Sequence, residues 1–422
     1  MEDINKKYAS LALVAFPILE CYNIGSIALY KFLMLFSCLF LTVRAVKYFY
    51  LPRSLYAFYI YAFTVPPINA VANGALTNFF GSFLTPFLFA YNLGLFLPFL
   101  DFKYIKKYYS FLVMASCVVF ALQELSFITT GKRFCALIPF LDLYNGISVS
   151  QYSVTVENLA RSCSFFAEPS HFAQYLIPYL GIVFHDLHQK RKIVNIQVLL
   201  LSLVLLLLRS GNGLLLLVLL WTIAILFSNV KTYIKYAVVF PASMFIVVFG
   251  FNYLSNTESG SQMLDRMDEL SLDYERVSSG TVRVFRGFFV YDDMSTKDQL
   301  IGVGAGGIEY AVDNSNFRWM FEQSERYLNN ASAFLVAYGI IGTLLFFFFL
   351  LQLCDKKQIG SILLVLAFIG LSMMESFFCN TRMLLYLGLA SRFKYNTKLL
   401  KNEKNINCRT QIISSDRCRS HC

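Results

Sequence analysis

The sequence predicts an all-α, polytopic membrane protein with about 12 transmembrane helices and a large outward-facing loop that carries short helices. Hydrophobic residues make up 57% of the chain and charged residues only 15%, which departs from the composition of water-soluble proteins. The runs 199–208, 214–227 and 344–351 are apolar on every side, so a helix formed there has no polar face to turn towards water. We therefore treat residues 1–422 as a single integral membrane domain.

Apolar segments long enough to form membrane helices recur along the chain. The first of them follows Lys6 and Lys7 but has no small-residue cleavage site, so we interpret it as a short first span and not as a signal peptide. We predict spans near residues 8–20, 24–43, 54–71, 76–100, 108–128, 171–187, 193–208, 213–228, 232–251, 331–353, 359–377 and 383–392.

In this predicted arrangement, lysine and arginine residues occupy the termini and the short connections on one side. The short connections on the other side, 20–24 and 70–76, carry neither. The basic side carries Lys6, Lys7, Arg44, Lys47, Arg53, Lys103, Lys106, Lys107, Lys190, Arg191, Lys192, Lys231, Lys235, Lys356 and Lys357. Because cytoplasmic loops are rich in Lys and Arg, we predict that both termini, including the basic tail 393–422, are cytoplasmic. No basic, aromatic-studded soluble domain is evident, so we expect no binding to nucleic acid.

Two long polar segments, 129–170 and 252–330, face outward in this topology. The second contains 13 of the 26 carboxylates and 7 basic residues, so its net charge is −6 in a chain of net charge +10. An apolar stripe at helical spacing predicts a first surface helix there, and a second helix could begin near Ser279. The stripe consists of Met263, Met267, Leu270, Tyr274 and Val277.

Two arginines in the second outward loop could bind phosphate. Arg283 and Arg286 are three residues apart, so they share one face of a helix. Each guanidinium can donate two parallel hydrogen bonds to paired phosphate oxygens, which suits a pyrophosphate group. The alternative, favoured by the pair alone, is that they form ion pairs with the many carboxylates nearby.

The segment before the sixth predicted span contains a candidate acid or base. Pro169 fits the first turn of a helix, which places Glu168 at the positive end of the helix dipole and His171 in the first turn. His171 is the histidine that this topology places on the outer side. The simpler interpretation is that Glu168 caps the helix and His171 anchors it at the membrane interface.

Arg209 and a glycine-rich turn each have both a structural and a functional interpretation. Arg209 ends an apolar helix, where a cation complements the dipole without any further role. Gly302, Gly304, Gly306 and Gly307 form a turn that lacks the context of a dinucleotide site but could let backbone approach a ligand.

The ten cysteines indicate no metal centre, because none of their spacings matches a zinc motif. Cys135 and Cys163 could meet in the first outward loop and form a disulfide there. Chance placement is the better explanation of the two.

Five short motifs occur in a characteristic order. Phe166-x-Glu-Pro-Ser-x-Phe-Ala opens the sixth predicted span, after Arg161. It is followed by Arg209-Ser-Gly-Asn-Gly, Ser279-Gly-Thr-Val-Arg, Ile301-Gly-Val-Gly and Asn329-Asn-Ala-Ser-Ala-Phe. Over roughly residues 130–350 this order resembles the bacterial O-antigen polymerase and ligase family, and the first motif is closer to the polymerase (Wzy-type) branch.

One departure separates this chain from the ligases. Ligase-like members usually carry a His-Asn pair before the late span, where this chain has Asn329 and Asn330. The departure favours a polymerase and leaves the general base unassigned, with Glu168 and His171 as candidates.

The resemblance implies a metal-independent glycosyltransferase without a cofactor, at the outer face of the bacterial inner membrane. It would polymerise oligosaccharide repeat units on undecaprenyl pyrophosphate into O-antigen, capsule or exopolysaccharide. Membrane lipid, a chain-length regulator and a flippase of the same pathway are the other expected partners. The expected catalytic residues are Arg161, Glu168, His171 and Arg283, and the expected substrate-binding residues are Arg209, Arg286, Gly304 and Asn330.

A flippase or exporter of lipid-linked oligosaccharide is the alternative from a different class, beside an O-antigen ligase. A flippase predicts charged residues within mid-membrane helices and short loops on both sides. This chain instead has one very long outward loop, and the acidic residues of its spans, Glu20, Glu124 and Glu375, fall near span ends.

Overall fold

The computed structural model describes residues 2–25, 27–74, 79–138, 141–143, 161–192, 194–228, 279–321 and 328–395. These residues are mostly helical. The helices are α1 (Glu2–Ala15), α2 (Leu29–Ala45), α3 (Arg53–Ala72), α4 (Phe79–Phe96), α5 (Phe102–Thr130), α6 (Pro169–Gln189), α7 (Ile196–Leu207), α8 (Gly211–Leu226), α9 (Ser279–Asp293), α10 (Thr296–Ile301), α11 (Ile308–Asn314), α12 (Asn330–Leu353), α13 (Ile359–Ser372) and α14 (381–395).

A small antiparallel sheet interrupts the helices near the beginning of the chain. Its strands are β1 (Tyr22–Ile24), β2 (Ile27–Ala28) and β3 (Asp142–Leu143), in the order β2-β1-β3. This sheet occupies the beginning of the predicted span 24–43, so the helix there starts only at Leu29. Short apolar runs do not distinguish a strand from a helix, which explains why the sequence analysis missed it.

A described helix covers most of every predicted span except 232–251, which lies outside the described residues. Among the helices that the structure describes, α3, α5 and α12 are long and apolar enough to cross a membrane. Shorter apolar helices are Phe83–Phe96 within α4, together with α7, α8 and α13. The helical, membrane-protein-like class is confirmed, whereas about 12 spans stays a prediction. The predicted stripe from Met263 to Val277 also lies outside the described residues.

Helix α6 is the central helix of the bundle. Every side chain from Phe172 to His185 is buried, and α6 contacts α5, α7, α8 and α13. A helix that is apolar on all sides is stable only when other helices or lipid surround it. By contrast, α5 exposes Phe111, Val118 and Leu125, which recur at a spacing of seven residues along one of its faces. The buried part of α6 thus begins directly after its half-buried first turn, where the predicted candidate acid or base lies.

Helix α12 is broken at Gly339, which has φ 62° and ψ −175°. The break frees backbone carbonyl groups inside the bundle. The carbonyl oxygens of Val336 and Ala337 accept hydrogen bonds from the N–H groups of Val303 and Gly304, at 3.0 and 2.8 Å. Backbone N–H groups of the glycine-rich turn thus donate to the carbonyl groups that the break leaves free. These hydrogen bonds satisfy polar groups in a region poor in water.

The hydroxyl group of Tyr61 on α3 lies at the same break, 3.0 Å from the carbonyl oxygen of Ile301 and 3.1 Å from that of Tyr338. We expect Tyr61→Phe to lower the free energy of unfolding by about 1–3 kcal/mol, because it removes the half-buried hydroxyl that donates to these carbonyls. Thermal unfolding of the purified protein in detergent measures the effect. Tyr56→Phe, on the same helix but 56% exposed, is the matched control. Equal melting temperatures for the two variants would contradict the assigned role.

Helix α10 is tied to the end of α3 through Asp298. Its carboxylate oxygen Oδ1 accepts hydrogen bonds from the side-chain amides of Asn69 and Asn73, at 2.6 and 2.9 Å. The amide of Asn69 also donates to the carbonyl oxygen of Gly302 at 2.8 Å. The described part of the polar loop therefore packs where α3 ends. We call this end of the bundle, where α6, α8 and α12 begin, the loop end.

Candidate functional site

Two of the predicted arginines meet at the loop end. The guanidinium Nη1 of Arg161 donates a hydrogen bond to the carbonyl oxygen of Arg209 at 3.0 Å. Arg209 follows α7 in the left-handed conformation, with φ 49°, and its side chain is exposed. The chain then reverses into α8, where Ser210 accepts a hydrogen bond from the N–H of Gly213. The exposed cation of Arg209 therefore lies at the turn between the apolar helices α7 and α8.

The first turn of α8 packs directly against the first turn of α6. A Cβ atom added to Gly213 would lie 2.8 Å from the Cβ of Ala173, so glycine permits this close approach. Because Gly213 lies four residues after Arg209 and Ala173 two residues after His171, the predicted residues of both helices are brought to one place. Residues this far apart in the sequence give no local signal of such an adjacency.

Glu168 lies at the N-cap of α6 but does not cap it through its side chain. Its carboxylate is exposed and accepts a hydrogen bond from the hydroxyl of Ser170 at 3.1 Å. His171 is half-buried in the first turn and interacts electrostatically with Arg382 of α14. The carboxylate of Glu168 is therefore available to solvent, contrary to the capping interpretation.

Arg382 also belongs to this region, although no motif in the sequence marks it. It is buried, and its Nε and Nη2 lie 2.9 and 2.8 Å from Oε1 of Glu20. Glu20 also accepts hydrogen bonds from Asn380 and Thr381, both at 2.7 Å. The Nη1 of Arg382 donates to the side-chain oxygen of Gln174, which lies one turn after His171 on α6. One sequence feature could have suggested this ion pair: Glu20 ends the first predicted span, and Arg382 directly precedes the last one.

Glu375 links the elements of the loop end to one another. One of its carboxylate oxygens accepts a hydrogen bond from the side-chain amide of Asn212, on the first turn of α8. Its backbone carbonyl accepts from the N–H of Asn330, at the start of α12, at 2.8 Å. Glu375 and Glu168 both interact electrostatically with Arg382. A mixed cluster of cations, carboxylates and amides thus forms where α6, α8, α12 and α14 begin.

The predicted helix that carries Arg283 and Arg286 is confirmed as α9, although the side chain of Arg283 lies outside the described part of the chain. Arg286 is 2% exposed, and its guanidinium lies 4.8 Å above the ring of Phe321. This contact adds cation–π stabilisation inside the fold. Replacing Arg286 would therefore disturb packing as well as any chemistry.

Asn329 and Asn330 have structural contacts at the start of α12. The amide of Asn329 donates to the carbonyl oxygens of Val284 and Met373, at 2.7 and 3.0 Å, and its Oδ1 accepts from the N–H of Ser332. The amide of Asn330 donates to the hydroxyl of Ser372 at 3.1 Å. These contacts attach α9 to the turn that follows α13.

Gly304 packs against α3 and the broken part of α12. Its φ is 77°, and its N–H donates to the carbonyl oxygen of Ala337. An added Cβ would lie 3.6 Å from the backbone of Pro66. That distance is an ordinary contact, so the positive φ, and not crowding, accounts for glycine at this position without a ligand.

The cysteines of the region are in the thiol form. Cys135 and Cys163 are both free, and burial raises the pKa of the Cys163 thiol to about 12. A thiol with such a pKa stays protonated and is a poor nucleophile. Within the described ranges no group of three or more His, Cys, Asp or Glu residues is placed to hold a metal ion.

Comparison with known protein families, with curated proteins and with solved structures found no match for this chain. Function is therefore inferred from the chemistry of the loop end. Cations beside a medium of low dielectric stabilise a developing negative charge more strongly than they would in water. Carboxylates in the same cluster can accept a proton.

Proposed function

We propose that the protein polymerises oligosaccharide repeat units carried on undecaprenyl pyrophosphate, at the outer face of the bacterial inner membrane. The observation that supports this proposal is the contact between Arg161 and Arg209, which lie 48 residues apart in the sequence. Both belong to motifs that resemble the O-antigen polymerases. The contact lies at the end of the bundle where α6 presents Glu168 and His171.

The reaction joins two sugar chains at an anomeric carbon. A hydroxyl group of the acceptor repeat unit attacks this carbon in the donor glycan, and the lipid diphosphate leaves with the electron pair of the broken C–O bond. The leaving group develops negative charge, which the guanidinium groups of Arg161 and Arg209 would stabilise. An arginine costs about 2.5–3.5 kcal/mol at the centre of a bilayer, so a site at the end of the helices suits these residues better than one in their middle.

The basic residues at the opposite end support the proposed orientation. Lys190, Arg191 and Lys192 follow α6 there, and Lys356 and Lys357 follow α12. If that end is cytoplasmic, the loop end faces outward, where a flippase would deliver the lipid-linked repeat units. Membrane lipid and a chain-length regulator are the other proposed partners.

A glycan ladder from a strain that lacks this gene tests the proposed activity. Long chains should disappear while glycans with a single attached repeat unit remain. Loss of all attachment would instead indicate a ligase or a flippase. Labelling that places residues 252–330 in the cytoplasm would also contradict the proposal, because the arginines would then face away from the substrate.

We expect Arg209→Ala to lower polymer formation by about 100-fold or more, because it removes one preorganised cation from the leaving group. Arg209 is exposed, so its replacement should leave protein abundance unchanged. Arg318→Ala is the matched control, since Arg318 is also exposed and pairs only loosely with Asp313, at 3.6 Å. The ladder and an immunoblot of membranes provide the two measurements. Wild-type chain lengths with Arg209→Ala would remove this residue from the site.

A further inference from the structure

Segment 161–168 is the part of the first outward loop that leads into α6, and it carries both Arg161 and Glu168. It forms neither a helix nor a strand, yet Ser162 and Ser164 are buried. Buried polar groups outside regular secondary structure need hydrogen-bond partners from other parts of the fold. The last turns of α5 and the residues that follow them provide these partners.

The hydroxyl group of Ser162 connects this segment to the end of α5. It donates a hydrogen bond to Oε1 of Glu124 at 2.6 Å and accepts one from Nε of Arg133 at 3.0 Å. Arg133 is itself 5% exposed, and its guanidinium lies 3.5 Å from the centre of the Phe127 ring. Hydrogen bonds to charged groups are stronger than those between neutral groups. The residue directly after Arg161 is therefore fixed by both a carboxylate and a guanidinium.

Ser164 is fixed to α5 through both its backbone and its side chain. Its N–H donates to Oε1 of Gln123 at 2.8 Å, and its hydroxyl donates to the carbonyl oxygen of Ser116 at 2.7 Å. The φ of Ser164 is 58°, in the left-handed region that residues other than glycine rarely adopt. Such strained residues persist where the surrounding structure fixes them, and they are frequent at functional sites. The contacts with α5 thus hold strained backbone three residues after Arg161.

Left-handed backbone also occurs at the residue that Arg161 contacts. The described part of the chain contains four residues other than glycine with positive φ, which are Ser164, Arg191, Arg209 and Cys379. Arg209, with φ 49°, accepts the hydrogen bond from Arg161 through its carbonyl oxygen. Strained backbone therefore accompanies both arginines of this contact.

We infer that Ser162 and Ser164 are positioning residues for Arg161. They hold its segment against α5, which keeps the guanidinium of Arg161 beside Arg209, where the two cations bind the diphosphate group. This inference rests on the proposed function. A cation that is already in place when the C–O bond breaks stabilises the leaving group without any rearrangement. A displacement of about 1 Å can lower a rate about 100-fold, so the attachment of this segment contributes to catalysis.

The test is a polymerisation assay with the full-length protein, purified in lipid nanodiscs and supplied with the lipid-linked repeat unit. Ser162→Ala removes the hydroxyl that contacts Glu124 and Arg133. We expect its kcat to fall about 10- to 100-fold with little change in KM, because the cations remain but Arg161 is no longer held in place. Ser162→Thr keeps a hydroxyl at this position and should restore most of the rate. An unchanged kcat in Ser162→Ala overturns the inference.

A double variant decides whether Ser162 acts through Arg161. In the Arg161→Ala background, Ser162→Ala should have little further effect on kcat, because residues that act as one unit are not additive. A loss by the same factor in both backgrounds indicates a general structural role and overturns the inference. Ser126→Ala is the matched control, since the hydroxyl of Ser126 donates to the carbonyl oxygen of Lys132 at 2.9 Å. Its kcat should equal that of the wild type.

Ser164 provides a second test that does not depend on the folding of Ser162→Ala. Ser164→Ala and Ser164→Gly both remove the hydroxyl, but glycine adopts the left-handed conformation without strain. Ser164→Gly should therefore have the higher melting temperature and yet no higher kcat, because glycine leaves the segment freer to move. If kcat instead followed the melting temperature, the positioning role would be wrong. A wild-type protein that makes no polymer refutes the proposed function itself, and the role of the two serines with it.

Discussion

Replacing Arg382 with methionine should lower the free energy of unfolding by about 3–5 kcal/mol. The substitution leaves the carboxylate of Glu20 buried without its cation, although Asn380 and Thr381 still donate to it. It also removes the donor to Gln174 on the central helix α6. The effect should appear as a large decrease in the melting temperature of the detergent-purified protein and in its abundance in membranes.

A double variant separates the loss of the charge pair from the loss of packing. Glu20→Gln combined with Arg382→Met removes both charges, so it should be more stable than Arg382→Met alone. Glu2→Gln is the control for an ordinary ion pair, because Glu2 contacts Lys6 at 2.7 Å with its side chain 68% exposed. Removing that pair should change stability by about 0–1 kcal/mol. If Arg382→Met were as stable as Glu2→Gln, the buried pair would not hold α14 to the rest of the bundle.

Gly339→Ala should destabilise the protein by about 2–5 kcal/mol, the sum of a backbone effect and a steric one. The left-handed φ of 62° disfavours any side chain at this position. In addition, the new Cβ would lie 2.4 Å from the carbonyl oxygen of Leu300 and 2.6 Å from the backbone nitrogen of Gly302. Because these are backbone atoms, the overlap can be relieved only by moving the glycine-rich turn away from α12. The melting temperature measures the loss of stability, and proteolysis within residues 302–307 detects displacement of the glycine-rich turn.

Two glycines serve as controls for the separate contributions. Gly74 has φ 66° but no atom within 4 Å of an added Cβ, so Gly74→Ala should show the backbone effect alone, about 1–2 kcal/mol. Gly181 is helical, and an added Cβ would make an ordinary contact of 3.5 Å with Leu364. Gly181→Ala should therefore change stability little or increase it. If Gly339→Ala and Gly74→Ala had the same melting temperature, that result would contradict the close approach of the turn to α12.

The helix positions were predictable because hydrophobic runs are a local property of the chain. Segments such as 54–71 and 331–353 correspond closely to α3 (Arg53–Ala72) and α12 (Asn330–Leu353). The break at Gly339 was not predictable, since a glycine within an apolar run gives no sign of whether another backbone approaches it.

The candidate site was predictable only in part. Arg161, Glu168, His171 and Arg209 come together at the loop end, whereas the contacts of Gly304 are with the backbone of α3 and α12. Arg382 was missed because its partner Glu20 lies 362 residues away in the sequence. A charge near a span end has many potential partners, and single-sequence patterns do not rank them.

The sequence by itself determined the apolar helical class, the approximate bounds of the helices and the arginine-bearing motifs, because composition and periodicity are properties of neighbouring residues. The tertiary structure alone decided which helix ends meet, and therefore that Glu375 lies beside Asn212 and that the glycine-rich turn closes α12. The physical reason is that a buried polar group must find a partner among whatever groups the packed helices bring within hydrogen-bonding distance.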